Sequence, residues 1–359
     1  MLNCFQVSDE LAVRVDVQVI EDTVKRILFA VGIPIEAAAV ASNSLVYADL
    51  HGIDSHGISN LVPTYLRRIT RDEINPRASL SMIKDDGATM SFDCDRGLGA
   101  TQGQELMVKT CERADQTGIA ITNAHNGSHF GTCAYYVNIA IERDMIGLCM
   151  TSGGLYMTPT FGSKPIVGIN PIGFGAPTRN EIPFLFDASM SSVSSNKIKL
   201  LRRLDQKVLP WWITDMEGQP INHETNVPAN YMMLPLGATR EVGSHKGFSL
   251  AIMIEVLCSL LAGTGGGPHR RQGVAHTFVA IDVKRFCEID TFKDDMDRYL
   301  RTLLDCPTTP QDERVVYAGV LEHETAIERR RLGIPYHPDV IEWMLKKCEE
   351  LNVKTTLKL

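Results

Sequence analysis

From residue 152 to residue 196 the chain is so rich in Gly, Pro, Ser and Thr that neither a helix nor a long strand is expected to run through it. An irregular span of that length is uncommon in a compact domain unless it carries function. The flanking sequence is regular and of two kinds. Residues 17–31 and 35–49 place apolar side chains three and four apart, with Gly32 and Pro34 punctuating between them, so two helices are expected there. Residues 58–70 and 104–116 repeat that spacing, the second after a strand-like segment at 88–93. From 118 the texture changes. Segments 118–122, 146–151, 183–188 and 275–281 read as short buried strands, with helices at 132–143 and 247–262. An amphipathic helical tail begins at 292 and is interrupted near 307–310. Helix-rich ends around a strand-rich middle define a mixed α/β chain. At about 150 residues per domain, 359 residues suit two units.

Charge and cysteine usage narrow the partners. The formal net charge is −7, and no basic field exists to hold a polyanion, so nucleic acid is not expected as a partner. The nine cysteines contain no C-x-x-C pair and fall in apolar stretches, which reads as free thiols in a reducing compartment. The longest apolar stretch, 248–262, is broken by Ser249, Glu255 and Ser259 and is shorter than a bilayer span. The first sixteen residues contain acids and no apolar signal-like run. A soluble cytoplasmic protein with no membrane contact is the expectation.

Several segments could carry chemistry. Gly97-Leu-Gly-Ala-Thr-Gln-Gly103 follows a strand and opens a helix, but its spacing is one residue off the dinucleotide fingerprint and no acid follows at a strand end. It reads as a turn. Ser55-His56 lies between Gly52 and Gly57. There His56 reads either as an acid/base titrating near neutrality, with Ser55 or a carboxylate fixing its tautomer, or as a packing residue beside a capping serine. A metal site of Asp49, His51, Asp54 and His56 matches no common ligand spacing, so no metal is expected. His125-Asn-Gly-Ser-His-Phe-Gly131 precedes a helix whose first amides, with Gly131 and Thr132, suit a phosphate. Within it His129 reads either as facing the reacting centre or as a loop histidine. Asn170 stands in a Gly-Ile-Asn-Pro turn, Asp187 heads a run of hydroxyls at a strand end, and His245-Lys246 open an apolar helix. Each alone is weak; together they are groups that hold ribose and phosphate oxygens.

Taken in order, these segments resemble the type-2 malate/L-lactate dehydrogenase family. That family is distinct from the Rossmann-fold lactate and malate dehydrogenases. It also includes ureidoglycolate, sulfolactate and diketogulonate enzymes and cyclic ketimine reductases. The resemblance runs through 48–57, 127–131, 145–147, 161–162, 170–172, Asp187, 212–218, 236–237, 246–247 and 333–335, nearly the whole chain. It implies hydride transfer between NAD or NADP and C2 of a small 2-oxo or 2-hydroxy acid, in a non-Rossmann nicotinamide-binding domain (121–285). Residues 1–120 and 286–359 would form a discontinuous helix-rich substrate and dimerisation domain, in a homodimer. It further implies His56 as proton donor/acceptor, Ser55 and Asp187 as its partners and His129 as a second acid/base. Cofactor contacts are implied at His129, Phe130, Gly131, Thr132, Cys133, Asn170, Asp187, Ala188, Ser189, His245 and Lys246, and substrate contacts at Asn60, Tyr65 and Lys197.

The departures are specific. Asn60 stands where such chains usually carry an arginine suited to a bidentate grip on the substrate carboxylate, four residues after the histidine. The tyrosine usual at eight residues falls at nine, as Tyr65, so Pro63-Thr64 is expected to shift the local helix. Asn196 replaces the glycine usual before Lys197, and the stretch after Leu261 is shorter. Arg67, Arg68 or Lys197 is left to supply the missing cation. A cyclic imino acid substrate, or a cofactor-binding chain without turnover, is the alternative that Asn60 leaves open.

Overall fold

A computed structural model describes residues 2–359 of the chain. Strand β1 (Val13–Val15) leads into helices α1 (Val17–Ala30) and α2 (Ile35–Leu50). Asp16 caps α1 by accepting from the Gln18 amide at 2.8 Å, which supplies the first orphan donor with an acceptor. A 3-10 turn (Ile58–Asn60) and a π-helical turn (Leu61–Leu66) follow, before the short α3 (Arg67–Thr70). The apolar spacing of 58–70 predicts a single helix, and the chain instead forms three short pieces there. The π turn spans Pro63, Thr64 and Tyr65, so the helix is locally wider there.

The β2 (Ser81–Asp86) and β3 (Thr89–Asp93) hairpin precedes α4 (Gly99–Thr117), β4 (Ile119–Gly127), α5 (Cys133–Ile141) and β5 (Met145–Thr151). Four further short strands occupy the Gly- and Pro-rich span: β6 (Leu155–Met157), β7 (Val167–Gly168), β8 (Ile172–Ala176) and β9 (Phe184–Ala188). Then come α6 (Ser195–Arg203), β10 (Ile213–Thr214), β11 (Met232–Met233) and α7 (Ser244–Glu255). The chain ends with β12 (Val274–Asp282), α8 (Ile289–Leu304), α9 (Val320–Leu332), β13 (Ile334–Tyr336) and α10 (Pro338–Glu350).

The main sheet has seven strands in the order β2-β3-β4-β12-β5-β8-β9, and only β3 and β4 run parallel. A predominantly antiparallel sheet of this order is not a doubly wound dinucleotide fold. The Gly97–Gly103 segment does follow β3 and form the start of α4, yet its glycines serve packing. A Cβ on Gly99 would lie 2.3 Å from the Ser128 carbonyl and one on Gly103 2.7 Å from the Tyr136 ring. The Gly99 amide donates to Ser128 Oγ at 2.9 Å, so this helix start already has its acceptor.

The two chain ends share a core. Ile20, Leu28, Leu45 and Leu61 pack with Ile334, Ile341 and Met344, and β1 pairs with β13. A second core, with Leu106, Tyr136, Phe130 and Phe278, joins α4 and α5 to the sheet. The division anticipated after residue 120 falls inside β4, and that strand shares the second core with α4. All nine cysteines are unbridged. Among the described residues no helix is long and apolar enough to cross a membrane.

Candidate active site

The 51–58 turn is fixed from every side. Helix α2 ends with Gly52 at φ +77°, its amide donating to the Asp49 carbonyl at 3.1 Å while the Ile53 amide donates to the Ala48 carbonyl at 2.8 Å. This is the two-bond C-cap that a left-handed glycine permits. The buried Asp49 carboxylate accepts from the Ile58 amide at 2.8 Å and from the Tyr336 hydroxyl at 3.0 Å. Burial, with Asp54 nearby, holds its carboxyl above the usual range. Arg329 of α9 forks onto Asp54 and also donates to the Asp49 carbonyl. A Cβ at Gly57 would fall 1.7 Å from Asp49 Oδ1, so only glycine fits. The rejected metal quartet does not converge, since Asp49 and Asp54 are engaged in this way and His51 Nδ1 bonds the Tyr47 carbonyl at 2.8 Å.

This frame presents Ser55 and His56. Ser55 Oγ and His56 Nδ1 share a 2.8 Å hydrogen bond. Of the two partners anticipated for His56, Ser55 takes that place and Asp187 does not. The sequence context predicts an imidazole that titrates near neutrality. Burial instead pushes it down to about 3, helped by His129, Lys197 and Lys199, so it is neutral in the free site. His129 stacks on His56 with ring centroids 5.6 Å apart. Its Nδ1 shares a 2.5 Å hydrogen bond with the buried Tyr65 hydroxyl, and burial lowers it to about 4.

A cavity of about 530 Å³ opens beside His56. One wall is the start of α5, with Gly131, Thr132, Cys133 and Ala134; a second is the end of β9, with Asp187, Ala188 and Ser189. Lys197 of α6 forms a third, and Tyr47, Glu322 and the amino-terminal residues Leu2 and Phe5 complete the enclosure. Gly131 has φ +87°, and a Cβ there would meet only Ser44 Oγ, at 3.5 Å, so its lack of side chain leaves open space. Thr132 is buried, and its Oγ1 has no partner among the described residues.

The first amides of α5, anticipated as a phosphate seat, are already taken. Asp187 Oδ2 accepts from the Ala134 amide at 2.9 Å, so the strand-end carboxylate caps this helix from outside. Burial pushes the Asp187 carboxyl up to about 6; the Ala134 and Cys133 amides and Lys197 oppose the shift, and Glu322 adds to it. A carboxyl raised above its usual 3.8 makes the fold less stable as pH rises through 4 to 6. Asp187→Asn keeps an oxygen for the Ala134 amide and sheds that penalty. Its Tm at pH 8 is expected to exceed the wild type's by the few degrees that on the order of 1 kcal/mol yields. At pH 5 about half of the gain should remain and below about pH 4 it should vanish, and thermal melts at pH 8, 5 and 3.5 check this.

Several anticipated contacts lie behind the walls. Phe130 is buried against His276 and Tyr136. Asn170 spends its amide on the Ala251 carbonyl (2.8 Å) and Glu255 (3.1 Å), and its Oδ1 on the Gly153 amide (2.7 Å). Its polarity serves the fold. Asn60 is buried and donates to the Ser55 carbonyl at 2.7 Å, so it braces the His56 turn instead of facing the cavity. Tyr65 positions His129 and does not line the cavity. His245 and Lys246 open α7 outside the lining, with Lys246 exposed. Of the cations weighed for the carboxylate grip, Arg68 is paired with Glu73 at 3.0 Å, whereas Lys197 lines the cavity and forms no salt bridge among the described residues. Tyr47, Glu322, Leu2 and Phe5 were not anticipated.

The profile of the malate/L-lactate dehydrogenase family matches residues 15–345. The malate dehydrogenase of Pyrococcus abyssi is 31% identical over 353 residues, 96% of this chain and 97% of that protein. The malate/(S)-sulfolactate dehydrogenase of Methanothermus fervidus is 29% identical over 339 residues, 92% of this chain and 96% of that protein. Among solved structures, the malate dehydrogenase of Entamoeba histolytica superposes with a TM-score of 0.92 at 28% identity, covering 96% of this chain and 99% of that one.

Proposed function

The chain belongs to the malate/L-lactate dehydrogenase family, and from that premise we propose that it transfers a hydride between NAD(P) and C2 of a small 2-oxo or 2-hydroxy acid. The observation that carries this reading is the meeting of His56 and Lys197, a half-buried cation without a salt bridge among the described residues, at one cavity, since an acid/base beside such a cation is what a 2-hydroxy carboxylate requires. The names of the relatives, malate dehydrogenase and malate/(S)-sulfolactate dehydrogenase, support a small organic acid of this class.

The chain's own groups divide the work. Lys197 receives the substrate carboxylate, in place of the arginine that Asn60 does not supply. Ser55 fixes the His56 ring through Nδ1, which leaves the far ring nitrogen for the C2 oxygen. Gly131 leaves room beside this point, and the unpartnered Thr132 hydroxyl, with Ser189 and the backbone of Ala188, suits the amide and hydroxyl groups of a nicotinamide ribotide. When bound, that cofactor supplies the hydride. Leu185, Leu321 and Leu2 add apolar surface to the cavity lining. A homodimer is part of the same reading.

Because burial keeps His56 neutral, the free site is ready to take a proton from a 2-hydroxy acid. Reduction needs the protonated ring, and an arriving carboxylate raises its proton affinity. The expected test is a panel of 2-oxo acids and cyclic ketimines with NADH and NADPH, followed by nicotinamide absorbance. At least one 2-oxo acid should turn over. Its kcat/KM should fall by about tenfold per pH unit from pH 6 to 9, while oxidation of the matching hydroxy acid shows no such fall. Turnover confined to ketimines, or none with any acid, would oppose the proposal.

A further inference from the structure

We infer that Phe5, in a segment that precedes the region matched by the family profile, is a positioning residue for the substrate anion, acting through Lys197. The inference rests on Lys197 as the carboxylate grip proposed above. Residues Asn3–Phe5 form a single 3-10 turn against α6, and Phe5 is 4% exposed although it stands so near the start of the chain. Its ring lies parallel to Trp212, 7° between planes and 5.6 Å between centroids. On this stack rests the Lys197 ammonium, 5.1 Å from the Phe5 centroid.

A lysine ammonium on four methylenes has many rotamers and strong hydration, so an unpaired one in a cavity wall is poorly placed for one anion. The negative face of an aromatic ring attracts the cation without neutralising its charge. A carboxylate in the same place would satisfy Lys197 and compete with the substrate. Glu322 and Asp187 add only longer-range attraction, and burial leaves the ammonium with a lowered proton affinity. Phe5 therefore holds the cation ready while leaving its charge for the incoming acid. Trp212 sets the plane of that ring, which ties the amino-terminal turn to the strand-rich core.

The test uses full-length Phe5→Leu, which keeps the apolar bulk and removes the π face, and Phe5→Tyr, which restores it. KM for oxaloacetate, kcat, and the Kd of NADH by fluorescence are measured on each. In parallel, calorimetry measures the affinity for oxalate, an unreactive 2-oxo acid mimic, and needs no turnover. Phe5→Leu is expected to weaken oxaloacetate and oxalate by about fivefold to tenfold, with kcat and NADH affinity within about twofold, and Phe5→Tyr to restore both. If Phe5→Leu binds oxalate as the wild type does, the positioning role fails. If NADH affinity, kcat and Tm fall together with oxalate affinity and Phe5→Tyr rescues none of them, the ring is only part of the core, and the inference is likewise overturned. Absence of wild-type turnover on every oxo acid would instead strike the proposed function, and the oxalate comparison would still judge Phe5.

Discussion

His56→Gln is expected to lower kcat/KM for 2-oxo acid reduction by about 10²–10⁴, the range that a positioned acid/base contributes. Glutamine fills similar space and can still bond Ser55 Oγ, so the turn should survive. The frame around it is independent of the imidazole: Gly52, Asp49, Arg329 and Asn60 hold the backbone, and none of their bonds uses the His56 ring. NADH affinity is therefore expected to change little. His129→Gln should cost less, because Tyr65 already engages its Nδ1 and it stands outside the cavity wall. Steady-state kinetics on the two variants, with NADH binding as control, separate the roles. A His56→Gln enzyme that retains wild-type kcat/KM would remove His56 from the chemistry. A larger loss in His129→Gln would transfer the assignment.

Lys197→Met is expected to raise KM for the oxo acid by roughly a hundredfold, since a charge-assisted hydrogen bond in a shielded site contributes about 2–3 kcal/mol. Methionine retains much of the stem that packs beside Phe5, so the loss reports the charge and not the packing. The loss should fall mainly on KM if the grip is the same in ground and transition states. Lys197→Arg is an informative companion. The guanidinium could restore a bidentate hold, but its fork is larger than the ammonium and has to share a wall with Phe5 and Glu322. An unchanged KM in Lys197→Met would send the search for the substrate anchor to Lys199, which lies close enough to influence both histidines.

Local signals led to part of this site. The Gly52-to-Gly57 frame, the Gly131–Cys133 wall and the Asp187–Ser189 strand end each carry their own turn or cap chemistry, so neighbouring residues announce them. The groups that escaped reading come from far away in sequence. Glu322 arrives on α9, Tyr47 from the last turn of an otherwise ordinary helix, and Phe5 from a turn too short to show any period. Others misled because polarity does not state a direction. Asn170 and Asn60 look like ligand contacts, but both meet buried backbone carbonyls. The helix start at Cys133 has the composition of an anion seat, and only the sheet register that brings β9 beside it reveals that Asp187 occupies the seat. The start of α6 lies at the edge of the irregular span, where Ser194-Ser-Asn has loop composition and Ser194 caps the helix at the Lys197 amide.

The central claim is hydride transfer to C2 of an oxo acid at the His56 cavity, and isotope tracing tests it most directly. Wild-type protein is incubated with oxaloacetate and reduced nicotinamide cofactor carrying deuterium at C4 on either face, and the product acid is read by mass spectrometry and proton NMR. One of the two labelled cofactors is predicted to deliver its deuterium to C2 of the hydroxy acid, with no deuterium reaching C2 when unlabelled cofactor is used in heavy water. Product that takes its C2 hydrogen from solvent, or no labelled hydroxy acid from either cofactor or any other oxo acid of the panel, would contradict the account.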